Sequence, residues 1–372
     1  MSVKKVFEKV HKYLSFVFGI FIVLLCLSGS ILVFEHDIKN FQHPELYKVS
    51  PGNATFSEIE TNIKEAYPSG KIDRIYTPEG PFGQGTYLYR VKEGKTVHTL
   101  SIDPGTGEIN GTEGDESPFI VWLKSFHSTL LIPVYGIDVV GWIGFILAFI
   151  LITGLYMWWP GIKRMLQGLK WRKNAPNSYA KFSSLHRVIG VYTIPILLVI
   201  TLSGALIPFY VTMLGWFGID SSMPAEKLTL QPTPEGELPL DVLLAKIKED
   251  GPNDVISQIR YPASPEKAIE FRTNRVQDPG FGSNRIYMNQ YTGEIIGKQG
   301  PDTTPGWIVK VWLFPLHTAV EYNLFLKIIY ALAGLVPVFL MFSGLYIWWY
   351  KRGKRKRSTA QKKDEKQKVL IS

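Results

Sequence analysis

The chain has 372 residues, of which 46% are hydrophobic and 13% aromatic, and its formal net charge is +9. This length allows two or three structural units, and the mean hydropathy of +0.05 hides a separation into apolar runs and polar stretches. The single cysteine, Cys26, excludes a disulfide within the chain and a thiolate metal site. The positive charge flanks the apolar runs, so membrane orientation explains it and no nucleic-acid partner is required.

Four apolar runs reach the length needed to cross a membrane, and none of them contains Asp, Glu, Lys or Arg. A helix of about 20 residues spans a hydrocarbon core of roughly 30 Å. The first run is too long for a signal-peptide core and is not followed by a small-residue cleavage site, so we expect it to remain as a helix. The four predicted spans are Tyr13–Phe34, Val139–Trp159, Val188–Tyr210 and Ile328–Trp349.

Lysine and arginine clusters beside these runs predict their orientation. The clusters lie before the first run, after the second run and after the fourth run. Cytoplasmic loops carry an excess of these residues, so all three clusters and both termini are predicted to be cytoplasmic. The two long segments, 36–135 and 212–322, are then predicted to lie outside.

The predicted segments form two halves with one plan, which indicates a tandem repeat. Each half has a histidine, an outward span, an external domain with a second histidine, and an inward span. The four spans are expected to form an α-helical bundle in the membrane. The segments are a first end and span (1–35), a first external domain (36–135), a second span (136–160), a basic loop (161–185), a third span (186–211), a second external domain (212–322), a fourth span (323–350) and a basic tail (351–372).

The two external segments share a strand, a glycine turn and a second strand, at Ser101–Ile109 and Tyr287–Ile295. A short helical pattern precedes each set, at Phe56–Tyr67 and Leu240–Glu249. We therefore predict two small external α+β domains, each with a helix on an antiparallel sheet. The charged tail from Gly353 is predicted to be disordered.

Four of the seven histidines recur at fixed distances from a small-residue motif. His11 and His186 each lie 17 residues before a Ser-Gly pair, and His127 and His317 each lie 27 residues before a glycine. The latter two end apolar segments that resemble interfacial helices. Since the bilayer separates the other combinations, His11 is predicted to pair with His186 inside and His127 with His317 outside.

Two imidazoles without a repeated Asp, Glu, Cys or Met beside them suit the two axial positions of haem iron. Zinc requires four ligands, and copper prefers an additional sulfur. The sequence therefore predicts two haems b, one near each membrane face, with the four repeated histidines as iron ligands. A single interfacial histidine is more often a packing or surface residue, and this is the reading favoured for the unrepeated His36, His43 and His98.

The small and cationic residues that accompany the histidines have two interpretations each. The glycines leave room for a flat macrocycle, or they allow helices to pack closely. Two cations directly follow the inner histidines. In one interpretation they pair with haem propionates. In the other, which is slightly favoured, they belong to the ordinary positive charge on the cytoplasmic side of the membrane. These candidates for cofactor binding are Gly29, Gly204, Gly154, Gly344, Lys12 and Arg187.

Together these motifs resemble the PepSY-associated transmembrane family over about residues 1–350. The resemblance rests on the His-x16-Ser-Gly spans, the Asp-Pro-x-Thr-Gly-Glu-like turns, the Leu-His-Ser/Thr motifs at 126–128 and 316–318, and the Ser-Gly-Leu-Tyr-x-Trp-Trp endings. The first half departs from the pattern at Phe126 and Thr153. The family includes iron-regulated bacterial membrane proteins and haem-containing inner-membrane reductases of ferric siderophores. The resemblance implies PepSY-like external domains in the periplasm and a bacterial cytoplasmic membrane.

The leading hypothesis is a di-haem b reductase that takes electrons from a cytoplasmic-side donor and reduces a periplasmic ferric chelate. The resemblance favours a ferric siderophore in iron acquisition. Because no flavin or nicotinamide motif is present, the donor is expected to be a separate reductase, a small carrier or a quinone. The alternative is a non-enzymatic, membrane-anchored PepSY regulator of a periplasmic peptidase or uptake system. A haem or metal transporter is disfavoured, because the spans lack a charged residue at the midplane. No catalytic residue is predicted.

Overall fold

The structure is a computed structural model that describes residues 2–80, 85–113, 118–219, 229–234, 236–275, 282, 284–300, 306–319 and 322–371. The chain divides into two compact units. The helical unit comprises Met1–Ile31, His127–Ala205 and Leu324–Ser372, and the sheet unit comprises Leu32–Phe126 and Leu206–Asn323.

The secondary-structure elements are numbered in chain order. The helices are α1 (Val3–Leu32), α2 (Glu35–Gln42), α3 (Phe56–Ala66), α4 (Pro118–Thr129), α5 (Gly136–Trp158), α6 (Met165–Gly168), α7 (Ser178–Leu206), α8 (Tyr210–Trp216), α9 (Leu240–Asp250), α10 (Trp307–Thr318) and α11 (Leu324–Ile371). The strands are β1 (Lys71–Tyr76), β2 (Tyr87–Glu93), β3 (Thr96–Ile102), β4 (Ile109–Glu113), β5 (Val255–Arg260), β6 (Ile269–Asn274), β7 (Asn284–Met288) and β8 (Ile295–Gln299).

The helical unit contains four helices that are long and apolar enough to cross a membrane, namely α1, α5, α7 and α11. They coincide with the four spans predicted from the sequence. Between 17% and 33% of the most apolar stretch of each helix is buried inside the protein. Inside the unit, Ile22 and Leu25 of α1 pack with Ile143 and Ile150 of α5.

The end of α11 differs from the prediction of a disordered tail, because the helix continues through Gly353 to Ile371. Lys, Arg, Gln, Glu and Ala dominate this part of the chain, and it contains no proline. These residues lose little side-chain freedom in a helix and rank among the best helix formers. Charge alone therefore did not predict disorder correctly here.

The sheet unit is built on one antiparallel sheet of eight strands in the order β4-β3-β2-β1-β5-β6-β7-β8. Each half of the chain contributes one helix and four consecutive strands. The helix and the antiparallel strands that flank the glycine turn were predicted in each half, whereas β1 and β5 were not. The prediction of two separate external domains needs correction, however, because β1 pairs with β5 and joins both sets of strands in one unit. Without this pairing, both strands would be edges with unpaired N–H and C=O groups.

One face of this sheet forms the core of the unit. Ile59 of α3 and Ile247 of α9 are fully buried against it, and Ile75, Ile259 and Phe271 point from the central strands into the same cluster. Because side chains alternate along a strand, their neighbours in sequence point to the opposite face. The sheet therefore has an apolar face under the two helices and a second face of different composition.

Candidate haem-binding site

The imidazole of His11, on α1, is held by α5. Its Nδ1 lies 3.1 Å from the Thr153 hydroxyl and 3.1 Å from the Ile150 carbonyl oxygen. The Thr153 hydroxyl donates its own hydrogen to the Ile150 carbonyl at 2.8 Å. Both neighbours of Nδ1 therefore act as acceptors, so Nδ1 carries the proton and Nε2 keeps a free lone pair.

His186, on α7, is held in the same way by α11. Its Nδ1 lies 2.8 Å from the Ser343 hydroxyl, and that hydroxyl donates to the Leu340 carbonyl three residues earlier at 3.1 Å. Ser343 is buried, with 3% of its surface exposed. The hydroxyl hydrogen is committed to the helix, so its oxygen accepts from the imidazole and again leaves Nε2 available as a ligand.

His127, at the end of α4, repeats the arrangement against α1. Its Nδ1 lies 2.9 Å from the Ser28 hydroxyl and 3.0 Å from the Leu25 carbonyl oxygen. Ser28 donates to Leu25 at 2.9 Å. The structure thus gives the hydroxyl residues of the repeated motif a function that the sequence interpretation missed. The sequence did contain an indication of this role, because each of these hydroxyl residues directly precedes one of the repeated glycines.

The glycines of the motif lie against the histidine rings. A Cβ atom on Gly29 would be 2.9 Å from Cε1 of His127, one on Gly154 would be 3.4 Å from Cε1 of His11, and one on Gly344 would be 3.5 Å from Cε1 of His186. The sequence allowed two interpretations of these glycines, namely space for a macrocycle or close packing of helices. The structure adds a third role at Gly29, where the missing side chain lets an imidazole from another helix approach the backbone, whereas a Cβ on Gly154 or Gly344 would make ordinary contact.

A cavity of about 770 Å³ lies among the four long helices and brings His11 and His186 together. Its volume falls within the range of small-molecule and cofactor sites. Apolar side chains and four glycines form most of its walls, and a group of cations lines it as well. The apolar and small lining includes Gly19, Gly154, Gly190, Gly344, Phe16, Met341, Trp158 and Trp348, and the cations are Lys4, Lys9, Lys12, Arg187, Lys351 and Arg352.

The residues present in this cavity fit a haem b. The two imidazoles would hold the iron, the apolar walls would cover the macrocycle, and cations such as Lys12 and Arg187 would pair with the propionates. Within the part of the chain that the structure describes, no group of three or more His, Cys, Asp and Glu side chains forms a metal site of another type. His11 and His186 are the two imidazoles that line this cavity.

The outer pair is divided between the two units. His127 belongs to the helical unit, and His317, half-buried near the end of α10, belongs to the sheet unit. The pairing of these two histidines stays a prediction from the repeat. Gly204 follows Ser203, whose hydroxyl donates to the Val199 carbonyl at 2.6 Å within α7.

The comparisons with known proteins give one result. The model of a protein family described as the PepSY-associated TM region matches residues 9–352, which is nearly the whole chain. The matched region includes all four membrane-spanning helices up to Arg352 and all four repeated histidines. The comparison with curated proteins found no match.

Proposed function

The chain belongs to the family of the PepSY-associated TM region, and from this premise we propose that it is a di-haem b reductase of a bacterial cytoplasmic membrane. It moves electrons from a donor on the cytoplasmic side to a ferric chelate in the periplasm, in the service of iron acquisition. The donor is a separate reductase, a small carrier or a quinone, and the acceptor is a ferric siderophore.

The observation that carries this proposal is the cavity with His11 and His186 in its wall. A haem with two imidazole ligands supplies one-electron transfer between the ferric and ferrous states of its iron. Thr153 and Ser343 fix the tautomer and the direction of the two rings, so that each presents Nε2. A ring held in this way stays in place during repeated oxidation and reduction.

The remaining residues of the cavity support the same use. Lys12 and Arg187 lie in its wall and would offset the negative charge of propionates. The cavity walls are largely apolar, and burial is one of the factors by which a protein sets a haem potential. His127, held by Ser28, and His317 would hold the second haem near the external face.

An absorbance spectrum of the purified protein, oxidised and then reduced with dithionite, tests the proposal, with a pyridine haemochrome assay for stoichiometry. We expect two haems b per chain with low-spin bis-histidine bands. His11→Ala and His186→Ala should each remove one haem, and His127→Ala and His317→Ala the other. His43→Ala is the matched control, because His43 is an unrepeated histidine of the sheet unit.

A colourless protein from cells with ample haem would instead favour the second candidate, a membrane-anchored PepSY regulator of a periplasmic peptidase or uptake system. The feature in favour of that candidate is the sheet unit, which has its own extensive core. In that case the histidine variants would leave its regulatory activity unchanged.

A further inference from the structure

The face of the sheet opposite α3 and α9 is rich in arginine. Arg74 of β1 and Arg272 of β6 are direct sequence neighbours of the core residues Ile75 and Phe271, so they point away from the core. Arg260 of β5 follows the core residue Ile259 in the same way. These arginines lie on three adjacent strands at the centre of the sheet.

Cross-strand pairing brings like charges together on this face. Arg74 is directly opposite Arg90 of β2 on one side and directly opposite Arg260 of β5 on the other. Like charges in directly opposite positions destabilise a sheet. Carboxylates offset part of this charge at the two ends of the row, because Arg90 lies 3.7 Å from Asp73 and Arg260 is directly opposite Glu270. Arg74 has an arginine on either side.

The positive charge continues on β6 and β7, where Arg272 is opposite Arg285. Glu270 Oε1 lies 2.9 Å from Nε of Arg272 and 3.3 Å from Nε of Arg285, so one carboxylate oxygen serves two guanidinium groups. Burial raises the pKa of Glu270, but Arg285 and Arg272 lower it overall and keep this carboxylate ionised. Burial lowers the pKa of Arg272, and the charges of Arg285 and of the more distant Arg74 lower it further.

Two buried polar atoms on the same face lack hydrogen-bond partners among the described residues. One is Oε1 of Gln258, a residue with 2% exposure on β5, and the other is Nε of Arg74. Gln258 is opposite Arg272 on one side and opposite Tyr76 on the other. Buried polar groups are almost always paired, so an anionic oxygen that accepts from Arg74 suits this position.

We propose that this arginine face, formed by Arg74, Arg260 and Arg272, binds an anionic chelate in which catecholate or carboxylate oxygens coordinate the metal. Guanidinium groups form paired, charge-assisted hydrogen bonds with such oxygens. A neutral or cationic trihydroxamate complex lacks the matching charge. The inference rests on the proposed function and names the class of ferric chelate that the protein accepts.

The test uses the full chain in phosphatidylcholine nanodiscs and redox-inert gallium(III) chelates, with affinity measured by calorimetry. A gallium tris-catecholate should bind, and a gallium trihydroxamate of zero or positive charge should bind at least tenfold more weakly. Arg260→Gln should weaken tris-catecholate binding by about tenfold or more, the usual loss for a hydrogen bond to a charged group. Arg260 is exposed, so this variant keeps the fold. Lys95→Gln, which removes an exposed charge at the β2–β3 turn, should bind as the wild type does.

Three results would overturn the inference. The first is equal affinity for both gallium chelates, and the second is unchanged tris-catecholate binding in both Arg260→Gln and Arg74→Gln. The third is arginine-dependent binding of inorganic phosphate or of phosphatidylglycerol nanodiscs in place of the catecholate, which would assign the face to another source of anionic oxygen. Because gallium is not reduced, a colourless protein that still binds the tris-catecholate would refute the reductase proposal and leave this one intact.

Discussion

The most informative feature at the scale of single residues is the hydroxyl that precedes three of the four repeated glycines. Ser28, Thr153 and Ser343 each donate to the carbonyl three residues earlier and accept from an imidazole Nδ1. Each hydroxyl hydrogen therefore points to a carbonyl of its own helix, and the hydroxyl oxygen is left to accept a hydrogen bond from the imidazole. This decides the tautomer of the histidine, with the proton on Nδ1 and the lone pair on Nε2.

Ser343→Ala tests the role of this hydroxyl. Loss of the acceptor for His186 Nδ1 should weaken haem binding at the inner site by about tenfold, the usual effect of removing such a partner, and should shift the reduction potential of that haem. Haem titration and a spectroelectrochemical titration measure both. Thr193→Val is the control, because the Thr193 hydroxyl bonds only to carbonyls of its own helix among the described residues. Equal behaviour of the two variants would contradict the assignment.

The glycines allow a graded test. A Cβ on Gly29 would lie 2.9 Å from the His127 ring, whereas one on Gly344 would lie 3.5 Å from the His186 ring, which is ordinary contact. In a helix, alanine is favoured over glycine by about 1 kcal/mol. Gly344→Ala should therefore keep the wild-type spectrum and have an equal or higher melting temperature, and Gly29→Ala should lower the melting temperature and lose the outer haem. The reverse order would refute the packing argument.

At the scale of elements, the turns that close the two halves of the sheet depend on glycine. Gly107 precedes β4 with φ +75°, and Gly293 precedes β8 with φ +71°. Both values lie in the left-handed region, which costs other residues about 1–2 kcal/mol. The predicted strand, turn and strand are confirmed at both places.

Gly107→Ala should lower the free energy of unfolding by more than this conformational cost, because the new Cβ would lie 3.1 Å from the Ala54 side chain. Gly94→Ala is the matched control. Gly94 has φ +60°, and a Cβ added there would meet no described atom within 4 Å, so this variant carries the conformational cost of about 1–2 kcal/mol alone. Denaturant or thermal unfolding of both variants measures the difference, and an equal loss would show that the contact with Ala54 is unimportant.

An ion pair joins α2 to α4 within the sheet unit and predicts a pH dependence. Glu35 lies 3.1 Å from Lys39 and 3.0 Å from Lys124. Burial raises the pKa of Glu35, but Lys124 and Lys39 lower it overall below its ordinary value of 4.5. The folded protein thus holds the ionised form more strongly than the unfolded chain does. The contribution to stability is fully present above pH 4.5 and is lost as the pH falls through the lowered value.

Glu35→Gln should therefore lower the melting temperature at about pH 7 and reduce the loss of stability between about pH 5 and more acidic values. Parallel melts of wild type and variant over this range measure the effect. Glu65→Gln, on an exposed position of α3, is the control and should follow the wild type. Identical pH profiles for Glu35→Gln and the wild type would show that the ion pair contributes nothing.

At the scale of the whole molecule, the distribution of lysine and arginine predicts the orientation of the chain. The basic loop after α5 and the basic end of α11 follow inward spans if the N-terminus is cytoplasmic. A green fluorescent protein fused after Ser372 should be fluorescent, and an alkaline phosphatase fused there should be inactive. A phosphatase inserted at Gly94, in the β2–β3 turn, should be active. The opposite pattern would invert the proposed direction of electron flow.

The sequence by itself determined the elements that depend on local pattern. Apolar runs longer than a bilayer thickness predicted α1, α5, α7 and α11, and alternating residues with a glycine turn predicted the pairs β3–β4 and β7–β8. These features depend on neighbours in the chain, so periodicity and length suffice to find them. Fixed spacing between histidine and glycine also singled out His11 and His186 before any contact was known.

Only the tertiary structure decided which groups meet. The contacts of Thr153 with His11 and of Ser343 with His186 join residues 142 and 157 positions apart. The pairing of β1 with β5 and the arginine face that it creates are equally non-local. A sequence pattern records which face a residue occupies but not which distant strand or helix covers it. The partner is selected by the burial of apolar area and by the pairing of backbone groups across the whole fold.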